Sequence, residues 1–287
     1  MIKTNEADLI QIALVGEVCP PRHAGIMPYK ITGDGKPVVL PGMGGIVYNV
    51  RVGDRAFGWA ADHLEPGVSI RHPNEEERAA LHIFACIGNE ARVISGDAKG
   101  ERGVVTGKHG GVAHVLVDLA PDVLEKMSIG DKVLVKAHGR GLVLSDHPDI
   151  KVMNLSPRLL AAMNVRPGEA GTLIVPVAAT VPAQLMGSGS GRFAEQGDYD
   201  VMTLDREFLA EHGLSDLRLG DIVALADQDN TFGRGYRRGA ISIGVVSHGD
   251  SVMAGHGPGI TTLLACSTPQ IVPELNKGAN IALYLGL

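Results

Sequence analysis

RVISGDAKGERGVVTGKHGGVAHVLVDL, residues 92–119, is the stretch on which the fold reading turns. Short runs of β-branched residues alternate with glycines and charged pairs. That is the pattern of strand, tight turn and returning strand, because Gly tolerates the backbone bend and Val, Ile and Thr suit a pleated, half-buried surface. A short helical piece, DVLEKM, and a further strand, IGDKVLVKAHG, follow it. Residues 91–137 therefore read as a small β-barrel. The apolar-Gly-Asp pattern recurs as VGDRA at 52, IGDKV at 129 and LGDIV at 219. Each places a turn at the entrance to a strand.

Working outward, the same texture fills the chain. Glycine contributes 38 of 287 residues, close to twice its usual share of about 7%. Aromatics are 4%. LIQIALVG, GTLIVPVAATVPAQLM, LGDIVALADQD, GAISIGVVS, ITTLLACS and NIALYLGL read as strands or buried segments. Four helices are expected. One runs from about Asn74 to Phe84, with Asn74 as cap and three glutamates in its first turn. The others are DVLEKM, SPRLLAAMNV with Ser156 as cap, and DREFLAEHG between Asp205 and Gly213. The expectation is a mainly β (α+β) protein of barrel-like modules joined by tight Gly-rich turns, with three or four short helices. The polar break SDHPD suggests domains of 1–145 and 146–287, the second carrying most candidate site residues.

Composition limits the function. The net charge of −6 argues against a broad nucleic-acid surface. No apolar run reaches the roughly 18 residues of a membrane span, and the N-terminus lacks signal-peptide order. A cytoplasmic protein without a membrane association is expected. Cys19, Cys86 and Cys266 are odd in number and widely spaced, so they read as apolar fillers and not as a disulfide or zinc framework.

Four stretches gather polar groups at the ends of apolar runs. WAADHLEPG carries Asp62, His63 and Glu65, ligand types that suit a divalent metal. MGSGSGRFAEQGDYDVM carries Gly187, Gly189 and Gly191, whose amides could face an anion, and then Asp198 and Asp200. Two residues apart on a strand, these carboxylates share a face and repel unless a cation or proton lies between them. LADQDNTFGRGYRRGA places Asp227 and Asp229 at a strand end, followed by Arg234, Arg237 and Arg238 as clamps for a substrate anion. SHGDSVMAGHGPGI sets His248, Asp250 and His256 in a glycine-rich loop after a buried strand.

The expected centre is a divalent ion (zinc, manganese or iron) held by His248 and His256 with carboxylates from Asp227, Asp229, Asp62, Asp198 and Asp200, and by His63. His248, Asp250 and His256 are the candidate catalytic groups. No nucleotide cofactor is expected, because GxGxxG is absent there. The leading expectation is a metal-dependent hydrolase of a small amide, lactam or carboxylated metabolite. A non-catalytic binding protein for a small anion is the alternative, and an RNA-associated barrel is a third.

That third reading comes from Val93 onward, where V-x-x-G-x-x-K-G-x-x-G-x-V is similar to the KOW motif of ribosomal and transcription proteins. Asp97 and Glu101 offset its basic residues. More broadly, the strings FGWAADHLEPGVS, GNEARVISGDAKGERGVVTGKHGG, DIKVMNLSPRLL, VPAQLMGSGSGRFAEQGDYDVM and VVSHGDSVMAGHGPGITTLL resemble those of a bacterial and archaeal family of unknown function, number 4438. The resemblance runs nearly end to end. It implies a β-rich homo-oligomer and carries no activity with it. VPVAATVPAQLMGSGSGRFAEQGDYD is also similar in style to a segment of the acetamidase/formamidase family, without the histidine that segment holds there.

Overall fold

The computed structural model describes residues 2–23, 28–190 and 193–287. The chain builds a closed six-stranded barrel beside a half-barrel. The barrel strands are β1 (Ile12–Val18), β2 (Gly67–Arg71), β3 (Glu90–Val93), β4 (Arg102–His109), β5 (His114–Asp118) and β6 (Lys132–Ala137). Their order is β1-β6-β3-β4-β5-β2, and antiparallel pairing of Glu17 with Arg71 and Val18 with Ile70 closes the ring. Closure removes the exposed edges a flat sheet would leave. β3 and β6 alternate as their pattern predicts: Ala91 pairs with Val135 and Val93 with Val133, and all four are buried. Each of the three valines contributes about 1.5–3 kcal/mol by leaving water. At the β3–β4 turn, Gly96 has φ +68°, and a Cβ there would run into the Asp131 carboxylate.

The half-barrel comprises β7 (Ala179–Val181), β8 (Met186–Ser190), β9 (Asp198–Val201), β10 (Ile222–Gln228), β11 (Tyr236–His248) and β12 (Gly259–Cys266). Its order is β7-β10-β11-β12-β9-β8. The barrel and half-barrel share one core: Val105, Val117 and Val133 lie in the same buried cluster as Ile222, Val245 and Leu264.

The four expected helices form, as α1 (Glu75–Phe84), α2 (Pro121–Leu124), α3 (Pro157–Ala162) and α4 (Arg206–Glu211). The side chains of Asn74, Ser156 and Asp205 accept the predicted capping bonds. A fifth, α5 (Ile281–Leu285), forms in NIALYLGL, for which the sequence alone allows a strand or a buried segment. Asn280 caps it by accepting from Ala282 N, and Gly286 ends it at φ +69°. Those two signals outweigh the apolar run between them. The three cysteines are free and buried. Among the described residues, no helix is long and apolar enough to cross a membrane.

Candidate metal centre

The seam between the two sheets brings the site together. Gly107 of β4 lies so close to β11 that a Cβ there would stand 2.6 Å from Ser247 Cβ. A bulge follows Val105 in β4 and re-aims the residues after it. The hydroxyl of Thr261 then ties the seam, accepting from Lys108 N and lying 2.7 Å from Ser247 Oγ. The next residue on each strand is a histidine. His109 and His248 stack with ring centroids 4.3 Å apart.

β9 supplies the carboxylates. Asp198 and Asp200 share one face of the strand, while Tyr199 and Val201 turn into a separate apolar cluster. Asp198 Oδ2 lies 2.7 Å from His248 Nε2. Asp200 Oδ2 lies 2.9 Å from His256 Nδ1 and 3.7 Å from His63 Nε2, and its Oδ1 lies 3.8 Å from His248 Nε2. The His63 ring centroid is 5.1–5.6 Å from those of His256, His248 and His109. Four imidazoles and two carboxylates thus meet in one buried cluster. Gly259 pairs with both His248 and Asp200, and any side chain there would occupy the space in which His248 and Asp198 meet.

The histidines are held from behind. His63 Nδ1 lies 3.0 Å from Asp62 Oδ2. His109 Nδ1 bonds to Glu65 Oε1, and His248 Nδ1 lies 2.9 Å from the Gly249 carbonyl. Each anchor occupies Nδ1 and turns Nε2 toward the centre. A carboxylate or carbonyl behind an imidazole is the usual outer support of a metal-ligating histidine. His63 pays for its position with φ 53°, at a cost of about 1–3 kcal/mol. Its N–H donating to Asp250 O at 2.9 Å helps fix that backbone.

Charge sorts into two layers. The outer carboxylates have their own cations: Lys30 bonds Asp62, and His114 lies 2.8 Å from Glu65. His114 is buried, which disfavours its charge, but Cys19 and Glu65 beside it push its pKa up to about 9. Burial likewise opposes the charged form of Glu65, yet His109 and His114 hold it well below the usual range. Among the described residues the inner carboxylates take histidines as their ionic partners, and Asp198 Oδ1 also accepts from Gly110 N at 2.8 Å. Burial works against them too, but His248 on Asp198, and His256 and His63 on Asp200, keep both ionised. Burial lowers and Asp198 raises the pKa of His248, with the net result about 9. A divalent cation bound among these groups would take over from the His248 proton in balancing the two inner carboxylates.

His248, His256, His63, Asp198 and Asp200 therefore converge as the sequence led us to expect. Asp62 does not reach the centre; it stands behind His63 and also accepts from Ser251 Oγ at 2.7 Å. Asp250 lies outside it as well, with its carboxylate taken by Thr203 and Arg206. Asp227 and Asp229 do the work of a turn. Asp227, at φ 55°, accepts from Gly239 N at 2.7 Å, and Asp229 accepts from Thr231 N at 3.0 Å. Arg234 donates to the Met186 carbonyl, Arg237 lies 3.8 Å from Asp229, and Arg238 is exposed. Gly187 admits the Gly255 carbonyl and Gly189 the Tyr199 ring, so both serve close packing. Gly191 lies outside the described residues. The sequence reading missed His109 as an inward group and His114 behind it. KHGGVAH, two histidines flanking a Gly-Gly turn, was the available signal, and it was absorbed into barrel geometry.

Two family models together match residues 29–285: domain of unknown function (DUF4438), N-terminal, over residues 29–161, and its C-terminal counterpart over 162–285. The chain belongs to the DUF4438 family. It is also similar to the protein in a crystal structure of TM1086, with 49% identity over 99% of each chain and a TM-score of 0.94. No curated protein matches it. In this DUF4438 chain the N-terminal part supplies His63 and His109, and the C-terminal part Asp198, Asp200, His248 and His256.

Proposed function

We propose that the chain is a metal-dependent hydrolase of a small polar substrate: an amide, a lactam or a related carboxylated metabolite. The observation that carries this reading is the set of Nδ1 anchors on His63, His109 and His248, which turn three Nε2 atoms inward. Imidazole and carboxylate donors suit zinc, manganese or iron. A bound divalent ion supplies a water of lowered pKa and polarises a carbonyl. The chain's own residues do the rest. Asp198 and Asp200 carry the balancing charge. Asp62 and Glu65 hold the imidazoles in line. His256, whose side chain is 30% exposed, stands where the cluster meets solvent.

Beside it, a cavity of about 320 Å³ is lined by Trp59, Thr203, Arg206 and Asp250–Val252. Its floor is the segment that bonds Asp62 and His63. In this reading Arg206 takes the substrate's anionic group, the role the sequence assigned to Arg234, Arg237 and Arg238. Neither this cavity nor a larger one of about 410 Å³ around Arg51, Arg102 and Arg158 is lined by the six inward residues, but only the smaller one is lined by residues bonded to Asp62 and His63.

Incubating metal-loaded protein with a metabolite extract in oxygen-18 water tests the proposal. Hydrolysis places the heavy oxygen in a product carboxylate. We expect labelled products that vanish with chelator and with Asp200→Asn. No metal-dependent labelling overturns the hydrolase.

A further inference from the structure

The six inward groups form two triads of unequal standing. His109, Asp198 and His248 offer donor atoms within 4.8 Å of one another, as do His63, Asp200 and His256. Each triad has two imidazoles and one carboxylate, which leaves a position open on a four-coordinate ion. Donors about 2.0–2.1 Å from a tetrahedral ion stand roughly 3.4 Å apart. The separations of 3.2 Å from His63 Nε2 to His256 Nδ1 and 3.7 Å from His63 Nε2 to Asp200 Oδ2 bracket that value.

Asp200 faces both triads. One oxygen lies against His63 and His256, and the other lies 3.8 Å from His248 Nε2. A carboxylate turned this way is shaped to bridge two ions about 3.5–4 Å apart. The triads differ in enclosure. All three inner residues are buried, and both inner imidazoles are anchored through Nδ1. In the outer triad His63 is anchored, but His256 is half-exposed and its described side-chain bonds run through Nδ1 to the cluster itself.

We infer that the chain binds two divalent ions bridged by Asp200: an inner ion at His109, Asp198 and His248 that is retained, and an outer ion at His63, Asp200 and His256 that exchanges with solution. The outer ion makes the site responsive to metal supply. This inference rests on the metal-centre reading above and adds the number, order and exchange of the ions.

Purified full-length protein loaded with manganese alone, then dialysed, tests it. We expect two ions per chain by elemental analysis and a spin-coupled manganese pair by electron paramagnetic resonance. A chelator should remove them in two phases at least tenfold apart in rate. His256→Gln, a change at a half-exposed side chain, should abolish the fast phase and keep the slow one. One ion per chain, lost in both His256→Gln and His248→Gln variants that fold normally, overturns the pair and leaves a single-ion centre. Two ions released in one phase overturn the inequality. No ion with manganese, zinc or iron overturns the metal centre itself.

Discussion

His248 Nε2 lies 2.7 Å from Asp198 Oδ2, and the residue opposite this pair on β12, Gly259, has no side chain to separate them. A Cβ at Gly259 would stand 2.6 Å from the same Asp198 oxygen and closer still to His248. The glycine keeps that space clear for the two functional side chains.

Gly259→Ala should therefore act on the site more than on the fold. Overpacking of this kind costs about 1–3 kcal/mol. We expect a matching fall in melting temperature together with loss of bound metal, read by calorimetry and elemental analysis on one preparation. Full metal occupancy in the variant contradicts the geometry.

Metal affinity should rise with pH. In the metal-free protein His248 has a pKa of about 9, so near neutrality it carries a proton that a ligating Nε2 must release. One displaced proton gives roughly a tenfold gain in affinity per pH unit below 9. Competition against a chelator from pH 6.5 to 9 measures the slope, and a flat profile removes His248 from the ligands.

Stability of the metal-free form should run the other way over the same window. The folded pKa of His248 lies above its unfolded value near 6.5, so its contribution is complete below 6.5 and lost as pH rises through about 9. Asp198 and Asp200 have depressed folded values, so their contribution is present above about 3.9 and lost as pH falls through those values. Melting of chelated protein should weaken from pH 6.5 to 9, whereas metal-loaded protein should not share that loss.

Glu65→Gln tests the support behind His109. Glu65 accepts from His109, His114, Ser69 Oγ and Gly44 N. An amide cannot accept from all four, and it leaves His114 without its counter-charge. We expect metal affinity to fall about 10–100-fold and stability by about 3 kcal/mol. Chelator competition and denaturant titration read the two separately.

Asp227→Asn and Asp229→Asn serve as contrasts. Both residues accept backbone N–H bonds in a turn, a task the amide oxygen also performs. Metal content should stay at the wild-type value, and stability should move by no more than about 0.5 kcal/mol. Loss of metal in either variant would return these residues to the centre.

Local chemistry made much of this protein readable from its sequence. Period-two alternation in β3 and β6 needs only neighbouring residues, and so do the caps at Asn74, Ser156 and Asp205. The face shared by Asp198 and Asp200 is likewise a property of any strand, and their mutual repulsion already pointed to a cation or a proton between them. Which polar groups would meet them was decided only by tertiary structure. His109 and His248 are 139 positions apart and become neighbours because Gly107 lets β4 press against Ser247. Asp227 and Asp229 show the i, i+2 spacing of Asp198 and Asp200, yet a left-handed residue at 227 turns that pair into hairpin chemistry. Carboxylates of equal spacing part company according to what the opposite strand brings to them, and that depends on register across the sheet, which no local stretch of chain contains.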